Sequence, residues 1–158
     1  MNNFKLYINE LSVKDIKITA VVMNKFYDAQ YAAEDGEIDV IKYKNNNIYD
    51  YDNYIFIFEG DDLLAFLWYE LDGDDLIIKL TQAIKFKSFY KFIFEFIFKE
   101  KKVQQILSDS QISNGALKSY AKLTKLYDIK IYDYDEDEYR DFNRDNFYGD
   151  SVVSIKEK

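Results

Sequence analysis

QAIKFKSFYKFIFEFIFKEKK, from Gln82 to Lys102, is the stretch on which the fold turns. As a strand it alternates well, with Tyr90, Phe92, Phe94, Phe96 and Phe98 on one face. Ile93 and Ile97 then spoil the other face, which is left with only Lys91, Glu95 and Lys99 as polar residues. As a helix, Phe86, Phe89, Tyr90, Ile93, Phe94, Phe96 and Ile97 make a broad apolar stripe. Lys87, Lys91, Glu95 and Lys99 line the opposite side at i, i+4 steps. The β-propensity of phenylalanine opposes the helix. The charge spacing favours it, and a helix is expected over about 87–101.

Upstream, Tyr54–Phe58 (YIFIF) reads as a strand, Gly60-Asp61-Asp62 as a turn and Leu63–Leu71 as its partner. Asp72-Gly73-Asp74 makes a second turn into a strand over Leu76–Ile84, so 54–84 is an antiparallel meander. Earlier still, Phe4–Ile8 alternates like a strand. Ser12 is placed to cap a helix, with Asp15 at the reach-back position of a capping box. That helix is expected over 13–32, in one piece or two, with Ile16, Ala20, Met23 and Tyr27 as its stripe and Glu34-Asp35-Gly36 as its stop. Residues 38–53 read as a polar connection with room for short strands.

Downstream, Val103–Leu107 reads as a short strand. Ser113-Asn114-Gly115 leads into a helix over Ala116–Tyr127, faced by Leu117, Tyr120 or Ala121, Leu123 or Thr124, and Tyr127. Asp128–Tyr134 alternates again, residues 133–150 form an acidic, aromatic loop without hydrophobic period, and Ser151–Lys156 is a last strand. The strands flanking the helix at 87–101 are expected to pair in parallel, because a crossover helix joins them. The expectation is therefore one α/β (α+β) domain over 1–158, with a mixed, mostly antiparallel sheet and helices on both faces.

Composition removes several chemistries. The chain of 158 residues has no Cys, His or Pro. That excludes disulfides, thiolate nucleophiles, Cys/His zinc sites and a Ser-His-Asp triad. A net charge of −8 opposes direct binding to a phosphate backbone, which needs clustered Lys and Arg. It fits a basic protein partner. The N-terminus lacks the apolar core of a signal peptide, and no apolar run reaches the length that spans a membrane.

The element order, together with LSDSQISNGALKSYAKLTKL at residues 107–126, resembles the GNAT acetyltransferase superfamily. That family commonly carries Asn-x-x-Ala-x-x-x-Tyr-x-Lys-Leu-Gly-Phe at this place. Ser113, Ala116, Tyr120 and Lys122-Leu123 match its pattern, with Ser113 in the Asn position and Thr124-Lys125 replacing Gly-Phe. Ser108-Asp109 followed by Ser113-x-x-Ala116 also resembles divergent GNAT-like proteins of bacteriophages. The resemblance implies acetyl-CoA as cofactor if the chain is an enzyme, Tyr120 as general acid toward the departing thiolate, and a place in the host bacterial cytoplasm or the virion.

Active relatives follow the strand before this helix with Gln/Arg-x-x-Gly-x-Gly/Ala, whose backbone N–H groups hold the cofactor's pyrophosphate at the helix N-terminus. Glycine serves there because a Cβ blocks close approach and disfavours positive φ. Here Gln82 takes the first position, and no glycine follows before Gly115. Lys85 and Lys87 are left to hold phosphate by charge, and Ser88 by its hydroxyl. Phe86, Phe89 and Tyr90 are expected to fill the space instead, with no cofactor bound.

Asp133-x-Asp135-x-Asp137 has the opening spacing of an EF-hand loop, but Glu138 stands where its glycine is required, so no metal is expected. The same run alternates with aromatics. Tyr134, Asp135, Asp137, Tyr139, Phe142, Phe147 and Tyr148 are the candidate residues for binding a protein partner. Asp61-Asp62 and Asp74-Asp75 read as turn residues and Trp68 as core. Three functions are carried forward: a catalytically degenerate GNAT-like fold that binds protein, as a virion component or an inhibitor of a host defence protein; a divergent acetyl-CoA-dependent N-acyltransferase; and an acidic mimic of nucleic acid.

Overall fold

The structure, a computed structural model, describes residues 13–109 and 111–158, with side chains from residue 20 onward. The strand expected at Phe4–Ile8 and the cap at Ser12 lie outside the described residues. The described elements are α1 (Val13–Glu34), β1 (Ile41–Tyr43), β2 (Asn46–Tyr51), β3 (Tyr54–Glu59), β4 (Asp62–Asp72), β5 (Asp75–Ala83), α2 (Phe89–Lys101), β6 (Gln105–Leu107), α3 (Asn114–Lys122), β7 (Tyr127–Asp133), β8 (Glu138–Asp141), a 3-10 turn (Arg144–Asn146) and β9 (Ser151–Glu157). The strands follow the order β1-β2-β3-β4-β5-β6-β9-β7-β8. β5 and β6 are parallel, as the crossover through α2 requires, and the other pairings of described register are antiparallel. The fold is thus mixed α/β with a mostly antiparallel open sheet. Among the described residues no helix is long and apolar enough to cross a membrane.

The described residues form two compact units, one of residues 13–68 with 81–87 and one within 69–80 and 88–158. In the first, α1 is one unbroken helix. Its buried stripe is Val22, Met23, Phe26, Ala29 and Ala32, while Tyr27 and Ala20 face outward. The stripe expected through Ala20 and Tyr27 is therefore displaced by about one residue: Met23 stays inside, and Phe26 takes the inner face in place of Tyr27. Gly36, at φ +76°, ends the helix, and its N–H donates to Ala33 O at 3.2 Å. Phe26 meets the rings of Tyr49, Phe56 and Phe58 at centroid distances of 5.9, 5.3 and 5.7 Å.

The connection read at 38–53 is more ordered than its polarity indicates. β2 pairs with β3 through a two-residue turn at Asp52-Asn53, both at positive φ (52° and 63°), the geometry of a tight hairpin. Lys25 of α1 pairs with Asp52 at that turn. Asp and Asn between two apolar runs were the signal for it. β4 carries one extra residue opposite Ile57/Phe58, at Leu64. The Leu64 carbonyl accepts from the N–H groups of Ile84 (2.8 Å) and Lys85 (3.1 Å).

In the second unit α2 is the helix that the charge spacing favoured. Phe89, Phe92, Ile93, Phe94, Phe96, Ile97 and Phe98 are all buried, and Lys91 and Lys99 are exposed. Phe92 and Phe98 widen the stripe beyond the expected one. α3 is shorter than expected, ending at Lys122. Leu123, Leu126 and Tyr127 close a turn by hydrogen bonds to Tyr120 and Leu123 carbonyls. Tyr127 then begins β7 and sits between the rings of Phe94 and Phe98, 5.9 and 5.7 Å away.

Candidate functional site

Gln82 is half-buried one residue before the end of β5, and Lys85 and Lys87 follow it exposed, all in the first unit. The Ile84 and Lys85 amides, two backbone donors of the stretch where a phosphate cradle would lie, are engaged by Leu64 O. Ser88 belongs to the second unit and begins α2 in the left-handed region, at φ 56° and ψ 40°, without a side-chain cap. The chain thus makes a positive-φ turn at the helix start without glycine, which strains a residue bearing a Cβ.

Tyr120 lies on the inner face of α3 and is 2% exposed. Ser113 caps that helix, its Oγ accepting from Ala116 N–H at 3.1 Å. The Tyr120 ring meets Tyr90 at 4.9 Å and Phe94 at 5.8 Å. Burial foremost, and then the Tyr90 hydroxyl beside it, push its phenol well above the ordinary tyrosine value. A phenol so placed packs the helix and holds its proton tightly. Tyr120→Phe is expected to keep the fold at a cost of about 0.5–1.5 kcal/mol, the net worth of one hydrogen bond. A urea melt checks this. A loss several times larger would mean that the hydroxyl does more than bond Tyr90.

Residues 133–150, read as an irregular loop, contain β8 and the 3-10 turn. β8 pairs with β7 in the register Tyr132↔Tyr139 and Ile131↔Arg140. A period of two then sorts the segment. Tyr139 joins Tyr132 on the open face, where the two rings are 4.9 Å apart, and Tyr134 lies 5.0 Å from Tyr132. Tyr134 and Tyr139 are each 42% exposed. The Tyr132 hydroxyl donates to Asp137 Oδ1 at 2.5 Å, a bond that raises the phenol to about 12. Tyr139 donates to Gln105 Oε1 at 3.1 Å, and Lys156 Nζ sits 4.4 Å over its ring. These contacts fix the rings without covering them. Asp135 is exposed beside this cluster.

Arg140 points the other way and organises the rest. It pairs with Asp133 and, through Nε, with Glu138 Oε1 at 3.1 Å. The side chains of Arg140 and Asp133 are 10% and 4% exposed. Arg140 Nη1 faces Asn146 O (3.2 Å), Ser151 Oγ (3.3 Å) and Tyr148 O (3.5 Å), more acceptors than its two hydrogens serve fully. Its guanidinium also lies 3.9 Å from the Tyr148 ring centroid. Asp133 accepts in addition from the N–H groups of Asp135 (2.9 Å) and Glu136 (3.3 Å). Burial alone would raise its carboxyl. The Glu136 N–H, Arg140 and the Asp135 N–H outweigh that and hold it below its ordinary value. Asp133 is therefore an anchor and not part of a solvated acidic run. Among the described residues no cluster of three or more carboxylates could hold a metal ion. In the sequence Tyr132 is one of the aromatics that alternate with the acids, and Arg140 has carboxylates beside it to pair with; that Arg140 also gathers the 146–151 backbone was not legible. Strand alternation across the Asp135–Asp137 turn was the available signal.

Phe142 and Phe147 lie apart from the tyrosines and line a cavity with α3. A smaller cavity of about 320 Å³ opens where β5 and β6 part beyond Ile77↔Leu107, lined by Lys79, Asp109, Tyr134 and Asp150 among others. Ser108 turns from β5 to β9 there, its Oγ accepting from Val153 N–H at 2.8 Å. No family model matches this chain, and no curated protein matches it.

Proposed function

We propose that this chain works by binding a protein partner through the tyrosine face of the β7–β8 hairpin, on a GNAT-like scaffold that has lost its acyl-CoA loop. One observation carries the reading. Tyr132, Tyr134 and Tyr139 form a contiguous, part-exposed cluster on a strand pair already locked by hydrogen bonds. Fixed aromatic rings bring large contact area at low entropic cost, which is the character of binding hot spots. Asp135 and Asp137 beside them, and the net charge of −8, favour a partner with a basic surface. A virion component and an inhibitor of a host defence protein both fit.

A second reading, a divergent acyltransferase, is favoured by the cavity at the parting of β5 and β6, since ligands of α/β sheets settle beyond the carboxyl ends of parallel strands. One pair of experiments separates the two. Acetyl-CoA at saturating concentration is expected to leave the melting temperature unchanged, whereas binding at a hundred times Kd would raise it by about 5–10 °C. The double variant Tyr134→Ala/Tyr139→Ala is expected to keep its melting temperature within a few degrees and to lose the partner that co-purifies with the parent. Undiminished retention by a folded variant sinks the binding reading, and a cofactor shift of that size installs the second.

A further inference from the structure

The larger cavity in the second unit, about 710 Å³, lies between α3 and the 142–147 segment, over β7. Its volume is that of sites which enclose a small organic molecule. Leu117, Ala121, Ile131, Phe142 and Phe147 form its apolar wall. Its polar lining is sorted by how it is already used. Asn143 Oδ1 accepts from Asn146 N–H at 3.1 Å, and Thr124 Oγ1 donates to Ala121 O at 3.0 Å. Lys118 and Arg144 also line it and make no ion pair among the described residues. Among the described residues no carboxylate lines it. In a chain of net charge −8, the described lining of this cavity is cationic.

We propose that the cavity binds a small aliphatic carboxylate, with its chain against the apolar wall and its head group at Lys118 and Arg144. Charge complementarity selects the anion, since each cation supplies charge-assisted hydrogen bonds that an alcohol cannot match and an ammonium would oppose. The overall negative charge selects a small ligand over an acidic protein. A single carboxylate meets the two local cations, whereas an extended acidic surface would also meet the chain's own carboxylates within a Debye length of about 8–10 Å. The site is independent of the tyrosine face and stands or falls without it.

The test is a titration of the isotope-labelled full chain with decanoate, decanol and decyltrimethylammonium, followed by amide NMR. Decanoate is expected to bind saturably, to shift residues 114–124, 131 and 142–147, and to bind about fivefold or more tighter than decanol. The ammonium is expected not to saturate. Lys118→Gln/Arg144→Gln, both on exposed positions, is expected to bring decanoate down to the affinity of decanol. Ala121→Trp, also exposed, is expected to block both. Equal affinity for the three probes, decanoate shifts outside these residues, or no saturable decanoate binding at millimolar concentration would each overturn the proposal.

Discussion

Replacing Phe94 with alanine is expected to cost about 3–5 kcal/mol, the range for deleting a buried phenylalanine ring. Phe94 is fully buried in α2. Its ring lies 5.7 Å from Tyr90, 5.8 Å from Tyr120 and 5.9 Å from Tyr127, so it joins α2 to α3 and to the start of β7. Deletion removes the ring's transfer energy and leaves a void that three aromatic neighbours cannot collapse into without leaving their own contacts. Denaturant melts of the parent and Phe94→Ala at constant slope measure the loss. A cost below about 1.5 kcal/mol would place Phe94 outside the core of this unit. Phe94→Leu, which keeps much of the volume, is expected to recover more than half.

The second large effect is expected at Arg140. Arg140→Gln leaves Asp133 buried without its cation and withdraws the donors that hold Asn146, Tyr148 and Ser151. That one side chain ties three points of the segment 146–151 to β7. The amides of 142–150 are expected to exchange like an open loop, and Tyr148 to lose the ring shift that the guanidinium imposes, while α2 keeps its protection. Unchanged exchange in 142–150 would show that the segment holds itself. The same pair predicts a pH dependence. The Asp133 carboxyl is held below its ordinary value of 3.8 in the folded chain. Its contribution is therefore fully present above the unfolded value and is lost as pH falls through the lower folded one. The stability difference between the parent and Asp133→Asn is expected to be constant from pH 7 to about 5 and to shrink below about 4. A difference that persists unchanged to pH 2 would remove the carboxylate from the account.

Much of this protein is legible before any coordinates. The i, i+4 charges of Lys91, Glu95 and Lys99 favour a helix for α2, and a helix between two strands makes a parallel β5–β6 pair the expectation that the register bears out. Asp72-Gly73 marks its hairpin, with Gly73 at φ +58°. The missing glycines before α2 are plain in the sequence. That Ser88 adopts the left-handed turn regardless, and that Leu64 occupies the Ile84 and Lys85 amides, are not. These are local and periodic signals, carried by neighbours within a few residues.

The site depended on contacts that periodicity does not encode. In 133–150 the sequence offers acids and aromatics in nearly every position, so no period distinguishes a wall from a surface. Only the pairing of β7 with β8 assigns Tyr132 and Tyr139 to the open face and Arg140 to the inner one. Only tertiary packing buries Asp133 and sends Phe142 and Phe147 to the cavity beside α3. The sequence by itself determined the type of the long elements, α1, α2 and β3 to β5, because that choice rests on spacing along the chain. The tertiary structure alone decided which of its many tyrosines and carboxylates face solvent, because that choice rests on the partner each residue meets across space.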